Sequence, residues 1–153
     1  MKIKIAWIGK TKEPAVQALT NEFIKRISRY AEVEGISVRD EAALLALAGR
    51  PAPGKKRSAG RNSTLIIMDS RGKPFSSEEF AEFLRDQQES KRQPLLFAVG
   101  GADGFSDQAR ASAEFSLSLG RITIAHELAR LVLMEQIYRA FTILKGHPYH
   151  SGH

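Results

Sequence analysis

The run Leu95–Val99 (LLFAV) is wholly apolar and stops at Gly100-Gly101-Ala102-Asp103-Gly104. A second run, Ile122–Ala125, stops at His126, directly before a long helical pattern. Strand-length runs that end in turns free their backbone groups, and α/β folds build ligand sites where such ends meet. The stretch Leu95–Arg130 therefore constrains the chain more than any other.

The rest of the sequence supplies the sheet and helices this stretch needs. Lys2–Ile8 alternates charged and apolar residues and ends at Gly9-Lys10, as a first strand would. Ala15–Tyr30 places Val16, Leu19, Phe23, Ile24 and Ile27 at helical spacing, with Pro14 in the first turn. Val33–Val38 reads as a second strand, and Asp40 can cap a short helix over Glu41–Ala48. Ser63–Met68 is an apolar third strand entering the polar turn 69–74. Ser76 or Ser77 with Glu79 resembles a helix start, and Phe80, Phe83 and Leu84 give that helix a stripe to bury. Ser106 caps a helix through Ala113, Ser116–Ala125 forms the last strand region, and Leu128–Leu144 is the final helix. Strands alternating with helices predict an α/β fold, a mostly parallel sheet with helices on both faces, in one domain spanning 1–153.

Composition narrows the chemistry. There are no cysteines, which removes disulfides, thiolate metal sites and a cysteine nucleophile, and favours a reducing, cytoplasmic setting. No segment approaches the length of a membrane span. The net charge of +6 is uneven. Residues 1–62 carry 13 Lys/Arg against 6 Asp/Glu, whereas residues 63–153 carry 10 against 11. Such an excess suits a face that meets a polyanion, and it equally suits a solvated surface. The segment 49–62 (GRPAPGKKRSAGRN) concentrates five basic residues among glycine and proline, as a phosphate-contacting loop or a plain linker would.

Standard motifs are missing. The glycine cluster is not GxGxxG, and there is no GxxxxGK[ST], GxSxG or HExxH. His147, His150 and His153 recur in a tail that holds Pro148, without a rigid platform or a fourth protein ligand, so no metal site is expected. The last helix is apolar on more than one side, which predicts a cover beyond the sheet, such as a second subunit. Arg130, Tyr138 and Arg139 are its polar exceptions.

Taken together, LLFAVGGADGFS, SLSLGRITIAHELAR, LVLMEQIYRAFTILKG and the ending HPYH resemble the RlmH-type methyltransferases, small members of the SPOUT superfamily. The opening WIGKTKEPAVQALTNEFIKRISRYAEVE resembles the same family, so the likeness covers essentially the whole chain. The resemblance implies an S-adenosyl-L-methionine-dependent enzyme that methylates N3 of a pseudouridine in 23S ribosomal RNA of the large subunit. It also implies a C-terminal trefoil knot, a homodimer, and no membrane or DNA partner. Recognition of an assembled ribosomal surface is expected, because no separate RNA-reading domain is attached. The cofactor residues it implies are Met68, Gly100 and the segment Leu119, Gly120, Arg121, Ile122, Thr123 and Ile124. Catalytic candidates are His126, Arg130, Tyr138, Arg139, His147, Tyr149 and His150. Ala125 stands where family members usually have proline, and the turn after Met68 reads Asp-Ser-Arg-Gly-Lys. The rival reading is a non-catalytic RNA- or ribosome-binding module that uses the basic surface alone.

Overall fold

The computed structural model describes residues 1–50, 62–90 and 94–150, excluding the side chain of His150. Its centre is a five-stranded sheet in the order β2-β1-β4-β3-β5, with every pairing parallel. The strands are β1 (Lys2–Ile8), β2 (Glu32–Val38), β3 (Thr64–Pro74), β4 (Leu95–Val99) and β5 (Phe115–Ser118). The helices are α1 (Pro14–Ile27), α2 (Glu41–Leu47), α3 (Ser77–Ser90), α4 (Asp107–Ser112) and α5 (His126–Lys145), followed by a 3-10 turn at Pro148–His150.

Alternation along the strands sorts side chains to two cores. Ile3, Ile5, Trp7, Phe97 and Val99 face one way and pack against α1, α3 and α5 through Ile27, Phe80, Leu84, Leu133 and Ile137. Ala6, Leu65, Ile67, Leu96 and Ala98 face the other way, onto Leu44 and Leu45 of α2 and Ala109 of α4. β4 is buried along its whole length because both faces are covered. Each fully buried Leu, Ile or Phe contributes about 1.5–3 kcal/mol relative to exposure.

The helix starts follow their sequence signals. Asp40 accepts the Ala43 N–H at 2.8 Å, and the Ser106 hydroxyl accepts the Ala109 N–H at 3.2 Å. Ser76 and Glu79 form a reciprocal box, with bonds of 3.0 and 2.8 Å. Pro14 is the first residue of α1.

Three boundaries differ from the sequence reading. β3 does not stop at Met68: Leu117 pairs with both Met68 and Lys73, so residues 69–72 are extruded and the strand resumes to Pro74. Gly72 permits this, since a Cβ there would lie 2.6 Å from the Ser116 carbonyl carbon. β5 ends at Ser118, and Ile122–Ala125 is not a strand. Ser118 Oγ donates to the Gly120 carbonyl at 2.8 Å and accepts the Gly120 N–H at 3.0 Å, while Gly120 at φ 133° turns the chain away from the sheet. α5 begins at His126, two residues earlier than periodicity indicates.

The basic segment 49–62 lies mostly outside the described residues, which omit 51–61. At its near end Arg50 points inward rather than toward a phosphate. It is 6% exposed, donates to the Ser63 carbonyl at 2.9 Å and to that of Ala48, and pairs with Glu114. Glu114 in turn accepts the Leu65 N–H at 2.7 Å. The chain entering residue 51 and the chain leaving residue 61 are thus fixed to each other. Among the described residues, no helix is long and apolar enough to cross a membrane, and no group of three metal-ligating side chains assembles.

Candidate cofactor pocket and the clusters around it

Parallel pairing brings all the strand C-termini to one edge, with Trp7 and Met68 both in register with Val99. Three chain segments leave that edge and enclose a cavity of about 360 Å³, within the usual range for small-molecule sites. The first is the glycine turn 100–104 after β4, backed by Phe105. The second is Met68 with the extruded residues Asp69, Ser70 and Arg71. The third runs from Leu119 to Ile124 and continues into His126 and Ala129 of α5.

The walls are largely backbone and aliphatic carbon. A Cβ at Gly100 would meet the Gly104 backbone and the Phe105 ring at 3.3 Å, so the turn is closed tightly on itself and any side chain must push outward. Ile122 lines the cavity and is 74% exposed. Ala125 holds φ −52°, a value a proline ring would also impose, so the turn into α5 keeps its shape without one. No side chain caps α5, which leaves its first amide donors at the cavity edge.

One wall is ionic. Asp69, with a side chain only 7% exposed, pairs with Arg110 of α4 and accepts the Arg71 N–H at 2.9 Å. Burial alone would raise its pKa, but the Arg71 amide and the Arg110 guanidinium outweigh that and hold the carboxyl below its usual range. Arg71 keeps a 68% exposed side chain at the rim, 3.9 Å from Asp69.

The sequence candidates separate into three groups. Met68, Gly100, Leu119, Gly120, Ile122, Thr123 and Ile124 all line the cavity, and Arg121 is exposed and does not. Among the catalytic candidates only His126 lines it. Arg130 is fully buried one turn further along α5, donating to Thr11 Oγ1 at 2.9 Å and the Ile8 carbonyl at 3.3 Å. Its guanidinium lies 5.2 Å from the Trp7 ring centroid, and its Nε has no hydrogen-bond partner among the described residues. Burial lowers its pKa.

Tyr138, Arg139, His147 and Tyr149 form a separate cluster at the other end of α5. Tyr138 and Tyr149 meet edge-on at 4.7 Å, and Tyr149 donates to Glu135 at 2.8 Å. Arg139 pairs with the same Glu135 at 2.9 Å. Tyr30, in the turn after α1, shares a 2.5 Å hydrogen bond with His147 Nδ1 and stacks on Phe141. Burial and the Glu135 contact raise the Tyr149 pKa. Twelve residues of helix separate His126 from Tyr138, or about 18 Å along the axis. The His150 side chain lies outside the described residues.

Asp69, Arg71, Phe105 and Arg110 belong to the cavity and were not among the sequence candidates. Asp69 and Arg71 were visible only as turn residues, and the Arg110 partnership spans 41 positions.

The family model described as "Predicted SPOUT methyltransferase" matches residues 1–150. A protein of Koribacter versatilis named ribosomal RNA large subunit methyltransferase H is 49% identical over 154 residues, covering 100% of both chains. Among solved structures, a probable methylase family protein from Haemophilus influenzae matches with TM-score 0.55 and 14% identity, over 96% of this chain and 69% of that one. The SpoU methyltransferase AviRb from Streptomyces viridochromogenes, solved with AdoMet, matches with TM-score 0.50 and 13% identity. It covers 90% of this chain, which spans 57% of that protein. At such identities the two structures speak for the fold.

Proposed function

This chain belongs to the SPOUT methyltransferase family, and we propose that it methylates N3 of a pseudouridine in 23S ribosomal RNA, with S-adenosyl-L-methionine as methyl donor. The observation that carries the reading is the convergence of three distant segments on one cavity at the strand ends. The residues fit such a cofactor. Gly100 and its neighbours offer close backbone, Met68, Ile122 and Phe105 offer apolar walls, and the volume suits a nucleoside-sized ligand. When bound there, S-adenosyl-L-methionine supplies a methyl group on a positively charged sulfur.

The chain's own tasks are to align the acceptor nitrogen and to take its proton. His126 is the one imidazole among the lining residues, and in this reading it accepts the N3 proton. Replacing it with asparagine should lower turnover about a hundredfold while leaving affinity for S-adenosyl-L-methionine close to wild type. Unchanged turnover would move the base elsewhere.

A homodimer completes the proposal. Ile122, Leu128 and Val132 are 74%, 52% and 37% exposed, an apolar face beside the cavity that a second copy would cover. Tyr138, Arg139, His147, Tyr149 and His150 would then act at the partner's cavity, because the length of α5 keeps them from their own. The substrate in this reading is the large subunit or whole ribosome, in the cytoplasm. The knotted path belongs to the same proposal and is compatible with the parallel strand order.

Calorimetry with S-adenosyl-L-methionine, followed by tritiated methyl transfer to ribosomes from a strain lacking the gene and mapping of the modified nucleotide, tests the reading. No cofactor binding at millimolar concentration, with or without RNA, would leave the non-catalytic ribosome-binding module standing instead.

A further inference from the structure

The loop 9–13 joins β1 to α1 and is held unusually firmly for a surface connection. Its start is fixed by Gly9, whose N–H donates to the Val38 carbonyl at 2.8 Å and whose carbonyl accepts from Ser37 Oγ at 2.8 Å. Its middle and end are fixed by α5. Arg130 donates to Thr11 Oγ1 and the Ile8 carbonyl, while the Glu127 carboxylate accepts the N–H of Lys12 at 2.9 Å and of Glu13 at 3.4 Å. Burial would raise the Glu127 pKa, but these two amides and the Arg130 charge keep it lowered, so the clamp stays ionised at neutral pH.

The position of the loop matters as much as its rigidity. β1 is the sheet neighbour of β4, about 4.8 Å away, so the residues after Ile8 run beside the glycine turn after Val99. A Cβ built on Gly101 comes within 3.7 Å of the Ile8 side chain. The clamp residues Glu127 and Arg130 sit in the same two helical turns as His126. Loop 9–13 is therefore the shoulder of the cavity on the β1 side, and it carries Lys10 and Lys12, both exposed.

Neither ammonium forms an ion pair with a described residue, although the two backbone amides beside them do have a carboxylate partner. Two positive charges on a fixed loop, with their conformational cost already met by the fold, suit repeated grip on the phosphodiester backbone of RNA. The loop carries Glu13 and is bonded by Glu127, and Asp103 lies in the glycine turn that lines the cavity. Glu127 is committed to amides, and Glu13 and Asp103 are exposed to solvent.

We propose that Lys10 and Lys12 form a phosphate-binding shoulder that positions the RNA backbone next to the nucleotide entering the cavity, with Glu127 and Arg130 as its positioning residues. This rests on the RNA-methyltransferase reading above. The phosphate contacts set register and affinity and carry no base selectivity.

The test compares Lys10→Ala/Lys12→Ala with Lys2→Ala/Lys25→Ala, a charge-matched pair near the opposite edge of the sheet. Binding to large ribosomal subunits lacking the modification is measured across a salt series, together with methyl-transfer kinetics and calorimetric affinity for S-adenosyl-L-methionine. The expected result for the loop pair is a salt slope shallower by about 2 and a KM raised roughly tenfold, with cofactor affinity unchanged. The control pair keeps the wild-type slope. An unchanged slope in the loop pair, or an equal fall in both pairs, overturns the shoulder. Wild-type protein that binds ribosomes but transfers no methyl would sink the enzymatic reading, and the difference in salt slope would still decide the role of the lysines.

Discussion

The cavity rim and the cluster around Glu135 share helix α5, yet they are built from different materials. The rim is made of strand ends, glycine backbone and aliphatic walls, with Asp69 and its two arginines as its ionic exception. The Glu135 cluster is made almost wholly of side-chain tips: Tyr138, Arg139, Tyr149 and, beside them, Tyr30 and His147. A site made of backbone and space is damaged by adding atoms. One made of paired tips is damaged by removing them. The contrast also separates an open cavity from a surface on which the residues after α5 pack.

The largest effect should come from adding carbon at the rim. Gly100→Val should weaken S-adenosyl-L-methionine binding at least about a hundredfold, or roughly 2.7 kcal/mol, with a smaller loss of stability as the Gly104 backbone and Phe105 ring give way. Calorimetry reads it, and unaltered affinity would place the ligand away from the glycine turn. Next is Gly72→Ala, whose new methyl would collide with the backbone of Ser116 and Leu117 at 2.6–2.7 Å. It should cost about 2 kcal/mol and lower the urea midpoint by about 1 M, because β5 must move rather than a flexible tip. If stability holds, β3 and β5 are not as closely seated as described.

Removal should matter in the other region. Tyr149→Phe deletes the hydroxyl that reaches Glu135 and should cost about 1 kcal/mol while leaving cofactor affinity of the isolated protein alone. A loss of cofactor binding in that variant would break the contrast between the two regions. The smallest effect concerns the ionic exception. The Asp69 pKa is lowered in the folded state, so its contribution is fully present above the ordinary aspartate value of about 3.9 and is lost as pH falls through the lower folded value. Asp69→Asn should therefore flatten the acid limb of a stability–pH curve by less than about 1 kcal/mol and leave the neutral limb parallel to wild type.

Local signals were legible in the sequence wherever the cause is local. Pro14, Asp40, Ser76 with Glu79, and Ser106 each mark a helix start that the structure retains. The apolar run Leu95–Val99 foretold a strand covered on both faces. What escaped depends on pairing across the fold. The resumption of β3 at Lys73 requires knowing that β5 lies alongside, and nothing in residues 69–74 announces it. Ile122–Ala125 has strand-like composition, but Gly120 and Ser118 turn it away before it can pair. Arg130 shows the same limit. On a helical wheel it is a polar exception suited to a ligand, whereas the fold seals it against Trp7 and the loop after β1. The family resemblance assembled the cavity walls from distant segments, which periodicity alone could not do.

Arg50 and Glu114 carry a consequence for how this chain tolerates change in length. Their contacts reach the Ala48 and Ser63 carbonyls and the Leu65 amide, so the two ends of segment 51–61 are joined by groups outside that segment. The span between them is then a cassette whose two sockets belong to the scaffold. Its residues can be exchanged, lengthened or cut without asking the sheet to find a new register. Loop-closure entropy grows only slowly with length, so a doubled cassette adds only about 0.6 kcal/mol. An affinity tag or reporter inserted between these sockets should therefore leave the cavity at the opposite ends of the strands as it is.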